Sequence, residues 1–547
     1  MSGPETGVSS VPAAASPGAF APLRHRLFAV LWSATVVGNV GTFIRDVTSG
    51  WLVVEISNSP SSVAMIQAAA TLPVFLLAIP AGALADIVDR RKFLIIVQLF
   101  LAGVSAILAV LAATGKMTVT NLALLTFAGG AGAALLGPTW QSIVPELVSK
   151  NELKGAIALN SLGFNIARAI GPAIGGLLLA AIGAAVTYSI DVATYVLVIG
   201  AIVWWRRAPK TDDQLGEQFA GAMRAGLRFA WASRDLRRIL FRASLFFFFA
   251  NVAWALLPMV ARDVLGGSAG FYGAMLGAIG AGAVLGAMVM PPLRKKLSAD
   301  GLVLMASLML AGILAAISFK PPQIAGIVLA LFLGAAWIAV LTTLNAMAQG
   351  VLPNWVRGRG LAIYLMAFNG ATTAGSLCWG AVGERIGVPS TLLVGGALLA
   401  IAALVAHRYK LPAAEADLTP SNHWPEPAIA EQVDHDRGPV LVTVEYKVKA
   451  QDRSGFFDSL TLLSQERRRD GAYAWGMTED TADSERILEW FFVESWAEHL
   501  RQHRRVSVAD ADLQSEVVKF HSGAQPPKVS HYVALEKPVM QTGPLDT

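Results

Sequence analysis

Between residues 27 and 408 the chain returns repeatedly to runs of mostly apolar residues, each near the roughly 20 that an α-helix needs to cross the hydrocarbon core of a bilayer. Twelve runs are read: 27–55, 62–85, 93–114, 118–144, 155–181, 184–205, 239–262, 268–292, 301–319, 323–350, 359–383 and 389–407. A buried helix of a soluble protein can imitate one such run, but not a dozen. Only 15% of the residues are charged and 54% are hydrophobic, too little charge to cover a soluble surface of this size. The 51 glycines fit the same solvent, because small residues let helices approach where lipid gives no hydrophobic drive between them. The single cysteine, Cys378, excludes an internal disulfide and any CxxC metal or redox site.

The basic residues orient the runs. Arg24 and Arg26, Arg90 to Lys92, Lys150 and Lys154, the segment 206–238, Arg294 to Lys296, Arg357 and Arg359, and Arg408 and Lys410 fall in one alternating set of connections. The other set holds only Lys116, Arg262, Lys320 and Arg385. The excess of positive charge marks the cytoplasmic side, so a multi-pass protein of the bacterial inner (plasma) membrane with both termini cytoplasmic is expected. Within 438–547 there are 13 Lys or Arg against 17 Asp or Glu. The formal charge of +5 therefore belongs to the membrane region, and a nucleic-acid partner, which would need a basic soluble face, is not expected.

Residues 1–23, rich in Ala, Ser, Pro and Gly, read as a disordered cytoplasmic tail. Residues 24–205 and 239–408 are read as two six-helix halves, joined by a cytoplasmic amphipathic linker, 206–238. In that linker Phe219, Met223, Leu227 and Ala230 share one side, with Arg224, Arg228 and Arg234 elsewhere. A second linker, 409–437, leads to a change of character. PVLVTVEYKV, AYAWGMTE, RILEWFFVE and VSHYVAL read as strands, and SGFFDSLTLLSQERRR, SWAEHLRQHRRV and the stretch to Phe520 as helices. The expected fold is an all-α polytopic membrane protein of about twelve transmembrane helices, plus a ferredoxin-like α+β domain over 438–537 and a tail, 538–547.

Polar residues at membrane depth are costly and mark function. Asn39, Thr42, Asp46 and Ser49 form one helical stripe, with Arg45 beside it. Ser161, Asn165, Arg168 and Pro172 form a second, and Thr187, Asp191 and Thr194 a third. Asp46 and Asp191 both come out roughly 10–15 Å below the outer surface. Two acids and two arginines either neutralise each other or line a central cavity, where a carboxylate can exchange a proton as its partner moves.

The segment GALADIVDRRK, Gly82 to Lys92, resembles the signature of the major facilitator superfamily between its second and third helices, although Ile87 and Asp89 depart from it. The resemblance implies a gate in which Asp86 and Arg90 pair and part, with Arg91 and Lys92 as anchors. GPAIGG, containing Gly171, Pro172, Gly175 and Gly176, is similar to the tail of a motif of exporters in that superfamily, with Ala167 where a glycine usually stands upstream. VPELV and VRGRG sit in corresponding places of the two halves, after the fourth and tenth helices, and resemble the transmembrane secretion effector subgroup of drug- and siderophore-exporter-like proteins. RRRDGAYAW and SWAEHLRQHRRVSVAD resemble antibiotic-biosynthesis monooxygenase-type domains, which implies a module that senses a ligand or dimerises in preference to catalysing a reaction.

The expected function is secondary active transport, a proton-coupled exporter of a small amphipathic or apolar compound by alternating access. Enzyme-coupled transport and a non-transporting membrane sensor are the alternatives. Expected partners are membrane lipid, the small-molecule substrate and protons. No cofactor or catalytic residue is expected, and no GxxxxGK[ST] phosphate loop for ATP occurs. His499 and His503 share a helix face, but the sequence specifies no third metal ligand. Together with His521 and His531 they read as solvated or core-edge histidines, and no metal is expected.

Overall fold

The computed structural model describes residues 20–535, apart from 150, 206–218, 354 and most of 413–436. The side chains at 79, 82–83, 85–87 and 219–225 also lie outside the description.

Among the described residues, eleven helices are long and apolar enough to cross a membrane. Helices α1 (Arg26–Ile56), α2 (Pro60–Ile87), α3 (Arg90–Ala113) and α4 (Val119–Leu147) each cross once. Helix α5 (Leu153–Trp204) has 52 residues, about 78 Å at 1.5 Å per residue and more than twice the roughly 30 Å of hydrocarbon. It turns back at Gly183, whose φ of 76° and ψ of 172° suit a residue without Cβ. Its two limbs are the fifth and sixth crossings. After α6 (Phe219–Ala232), the seventh crossing is α7 (Arg234–Ala250) running into α8 (Val252–Met259). Then follow α9 (Ala269–Arg294), α10 (Ala299–Ser318), α11 (Gln323–Gly350), α12 (Arg357–Ile386) and α13 (Val388–His407). The bundle is thus the expected twelve crossings.

Local chemistry fixes the ends. Ser59, Asp89, Thr118, Ser268 and Ser298 cap α2, α3, α4, α9 and α10, each accepting a backbone N–H with its side chain. Asp89, which departs from the superfamily signature, is the N-cap of α3, its Oδ1 3.0 Å from the nitrogen of Lys92.

Beyond the bundle, β1 (Val440–Lys447), β2 (Ala472–Glu479), β3 (Arg486–Val493) and β4 (Lys528–Val533) form one antiparallel sheet in the order β2-β3-β1-β4. Strand β1 buries every second residue from Val440 to Tyr446 against α14 (Arg453–Asp470), α15 (Trp496–Arg505) and α16 (Val508–Val518), which cover one face. Ser507 and Asp510 form a reciprocal capping box that separates α15 from α16.

Candidate functional site

The two halves meet along the stretches of α2 and α12 farthest from the basic connections. Ser59 donates to Glu384 at 2.6 Å, and the hydroxyls of Thr71 and Thr373 are 2.7 Å apart. Trp51 of α1 stacks on Tyr272 of α9, ring centroids 5.8 Å apart. A second seam runs between α5 and α9. A Cβ added to Gly176 would come within 2.5 Å of the Gly273 Cα, and one added to Gly280 within 2.8 Å of the Ala169 Cα. The other motif glycines serve α1: a Cβ on Gly171 would meet Phe43 at 2.7 Å, and one on Gly175 the Ile44 Cα at 3.0 Å. GPAIGG is therefore the surface on which helices from both halves approach backbone to backbone.

Inside this seam lies a cavity of about 330 Å³, bounded by α1, α2, α4, α5, α8 and α9. Asp46, Gln67, Arg168, Pro172, Trp254 and Tyr272 are among its walls. Beside it, Arg45 is buried and spans two acids. Its Nη2 donates to Asp46 Oδ1 at 3.0 Å, its Nη1 donates to the Tyr195 hydroxyl at 3.0 Å, and Nη1 lies 3.9 Å from Asp191 Oδ2. The Asp46 side chain is 56% exposed and that of Asp191 fully buried. Asp191 Oδ2 accepts from Ser105 at 2.6 Å, whereas its Oδ1 has no hydrogen-bond partner among the described residues. Gly41 makes room for this approach, since a Cβ there would lie 2.8 Å from Asp191 Oδ1.

Arg168 differs. It reaches the cavity half-buried, and among the described residues it has no hydrogen-bond or ion-pair partner. Among the described residues, the four charges of the sequence stripes therefore divide into a three-membered cluster and a cation without a partner.

Neither asparagine singled out in the sequence lines the cavity. Asn39 is half-buried in α1, and Asn165 is exposed, donating to the Ser161 carbonyl of its own helix at 2.8 Å. Asn251 ties α7 to α12 through Thr372 and Ser376. Trp337 packs against Phe247 and Trp254. Tyr195, Gln67 and Tyr272 stand outside the stripes that the sequence marks. Tyr195 alone carried a signal, standing four residues beyond Asp191 on the same helix.

At the basic end, Gly82 and Asp86 lie in α2, and the Asp86 side chain is outside the described residues. Arg90 donates to Glu146 of VPELV at 2.9 Å and to the Ser142 carbonyl. Arg91 donates to the carbonyls of Ile202 and Val203, closing the C-terminus of α5. Lys92 is exposed.

The C-terminal sheet and its helices dock at this end. Arg228 of α6 donates to Glu498 of α15 at 2.9 Å, and Arg505 lies over the Trp355 ring at 4.2 Å. Burial pushes the Glu498 carboxyl up, but Arg505 and then Arg228 overcome it and hold the group below its ordinary value.

Twelve crossings closed around a cavity with charged walls define a transporter of the major-facilitator fold. The chain belongs to the transmembrane secretion effector family, whose model matches residues 17–539 and so runs through the C-terminal sheet. It is 26% identical over 382 residues to the multidrug efflux pump Tap of Mycolicibacterium fortuitum, covering 68% of this chain and 92% of that protein. To the staphyloferrin A transporter of Staphylococcus aureus it is 24% identical, covering 65% and 89%. Among solved structures, a point mutant of the nucleoside transporter NupG superposes with a TM-score of 0.59 at 11% identity, over 70% of this chain and 99% of that one. A bacterial homologue of the lysosomal transporter Spinster, inward-facing and unoccupied, gives 0.56 at 14%, over 71% and 98%. These two likenesses carry the fold alone.

Proposed function

We propose that the chain is a proton-coupled secondary exporter of small amphipathic compounds, lying in the inner membrane with the basic end and both termini in the cytoplasm. One observation carries the reading: Asp46 presents a carboxylate to the cavity while bonded to a buried arginine that has a second acid within reach. Protonation of Asp46 removes the charge that holds Arg45. Arg45 then turns to Asp191, 3.9 Å away, so the proton exchanges one ion pair for another inside α1 and α5. That exchange is a two-state element of the kind a rocking bundle needs. The halves meet on the side away from the basic end, which supports a resting state open to the cytoplasm, where cargo enters. Relatives named as efflux pumps support the direction.

The cavity walls suggest the cargo. Trp254, Tyr272, Phe43 and Phe164 offer apolar and aromatic surface, and Arg168 offers a cation without a partner among the described residues. A compound with an aromatic or apolar body and one anionic group satisfies both. Residues 438–537 are read as an accessory module that rides on α6.

Transport into inside-out vesicles tests the proton step. Asp46→Asn should abolish the dependence of transport on the pH gradient while the protein still inserts and binds cargo. Unchanged coupling in that variant would remove Asp46 as the carrier.

A further inference from the structure

Three imidazoles converge in the C-terminal module. His499 and His503 stand four residues apart on α15, so one helix face carries both. The third, His531, comes from β4, where it sits opposite Val442 of β1. One ring nitrogen from each lies within 4.8 Å of the other two. His499 is fully buried, and the other two are half-buried.

The geometry goes beyond a hydrogen-bonded pair. His499 Nε2 and His503 Nε2 are 3.1 Å apart, near the roughly 3.3 Å expected between two nitrogens that are each about 2.0–2.1 Å from a tetrahedral zinc. Gln502, fully buried, places its Oε1 3.4 Å from His499 Nδ1. In that arrangement the amide oxygen accepts the Nδ1 proton, and the Nε2 lone pair is left pointing into the cluster. An outer partner that fixes the tautomer in this way is the usual companion of a metal-bound histidine. A structural histidine pair needs one partner each; it does not need a third ring arriving from a different strand. His521 illustrates the structural case, with Nδ1 accepting the Lys447 N–H and Nε2 beside the Gln525 carbonyl.

We propose that His499, His503 and His531 form a binding site for a borderline divalent transition-metal ion, with Zn²⁺ as its type. Three imidazoles suit Zn²⁺, Co²⁺, Ni²⁺ or Cu²⁺ and not Mg²⁺ or Ca²⁺, which take oxygen ligands. Three protein ligands leave a fourth position for water or a small ligand. To reach tetrahedral spacing the widest pair of the three has to close by at most roughly 1.5 Å, a movement within side-chain rotation. The ion would tie α15 to β4, two elements that the sheet itself does not join.

The full-length chain, purified in detergent with a tag free of histidine and stripped with a chelator, is titrated with Zn²⁺ against a chromophoric competitor. Co²⁺ serves as the spectroscopic probe and Mg²⁺ as the control. One Zn²⁺ per chain is expected, with a tetrahedral-type Co²⁺ spectrum and no response to Mg²⁺. His503→Gln and His531→Gln should each weaken Zn²⁺ binding roughly tenfold or more. The thermal midpoint of both metal-free variants should stay at that of the metal-free parent, which separates ligand loss from misfolding. Absence of stoichiometric Zn²⁺ binding, or equal binding by parent and both variants, would overturn the site.

Discussion

Two arginines separate the two parts of this molecule. Arg467, in α14, is buried and paired with a buried acid. Its Nε donates to Glu489 Oε1 at 3.3 Å, and its guanidinium lies over Trp424 and Phe491, 4.8 and 5.3 Å from their centroids. Glu489, itself fully buried, also accepts from the Tyr446 hydroxyl and Trp475 Nε1. Burial, and after it the Glu489 charge, push the Tyr446 phenol well above its ordinary value, so it remains a donor. Arg168, in α5, is half-buried beside an aromatic-lined cavity and has no partner among the described residues. A buried charge that is paired inside the fold belongs to the architecture. A charge held at membrane depth without a partner is open to something that arrives.

The sharpest way to break this contrast is Arg467→Leu. It strands the Glu489 carboxylate in the module's core and should cost about 3–5 kcal/mol of the module's stability, read by limited proteolysis of the full chain along a urea series. A loss under about 1 kcal/mol would mean that the network is ornamental. Next comes Gly176→Ala, where the new methyl meets the backbone of the opposite half. It should cost about 1–3 kcal/mol in thermal unfolding and slow transport. Normal transport with unchanged stability would show that the seam is looser than its geometry. The smallest effect on stability should come from Arg168→Gln, within about 0.5 kcal/mol of the parent. Transport of anionic amphipathic compounds should nevertheless fall roughly tenfold or more, with neutral compounds unaffected. If Arg168→Gln unfolds the bundle as Arg467→Leu unfolds the module, the distinction between them fails.

The fold was readable because its signals are local. Apolar runs name the crossings, alternation names the strands, and the elements fall within a few residues of where the sequence puts them. The helical stripes also brought out Arg45, Asp46, Arg168 and Asp191. What the sequence withheld was pairing. Nothing in a stripe says that Arg45 takes both acids and leaves Arg168 alone, because that depends on how α1 and α5 rotate against each other. The Arg90–Glu146 contact joins two quoted motifs 56 residues apart, and His531 reaches α15 from another strand. Such meetings are set by tertiary packing, which periodicity does not encode.

The crossing of α5 and α9 has a kinetic consequence. Side chains that interdigitate lock a helix pair like gear teeth, and any rotation must lift them out of their grooves. Here Gly176 faces Gly273 and Ala169 faces Gly280, so bare main chain rests on main chain. This works as a bearing. In the proposed cycle one half would pivot on the other with no rotamer to reset at the axle, and the barrier to opening would fall on the latch made by Ser59, Glu384, Thr71 and Thr373. The speed of that proposed cycle would be set by these few hydrogen bonds between α2 and α12.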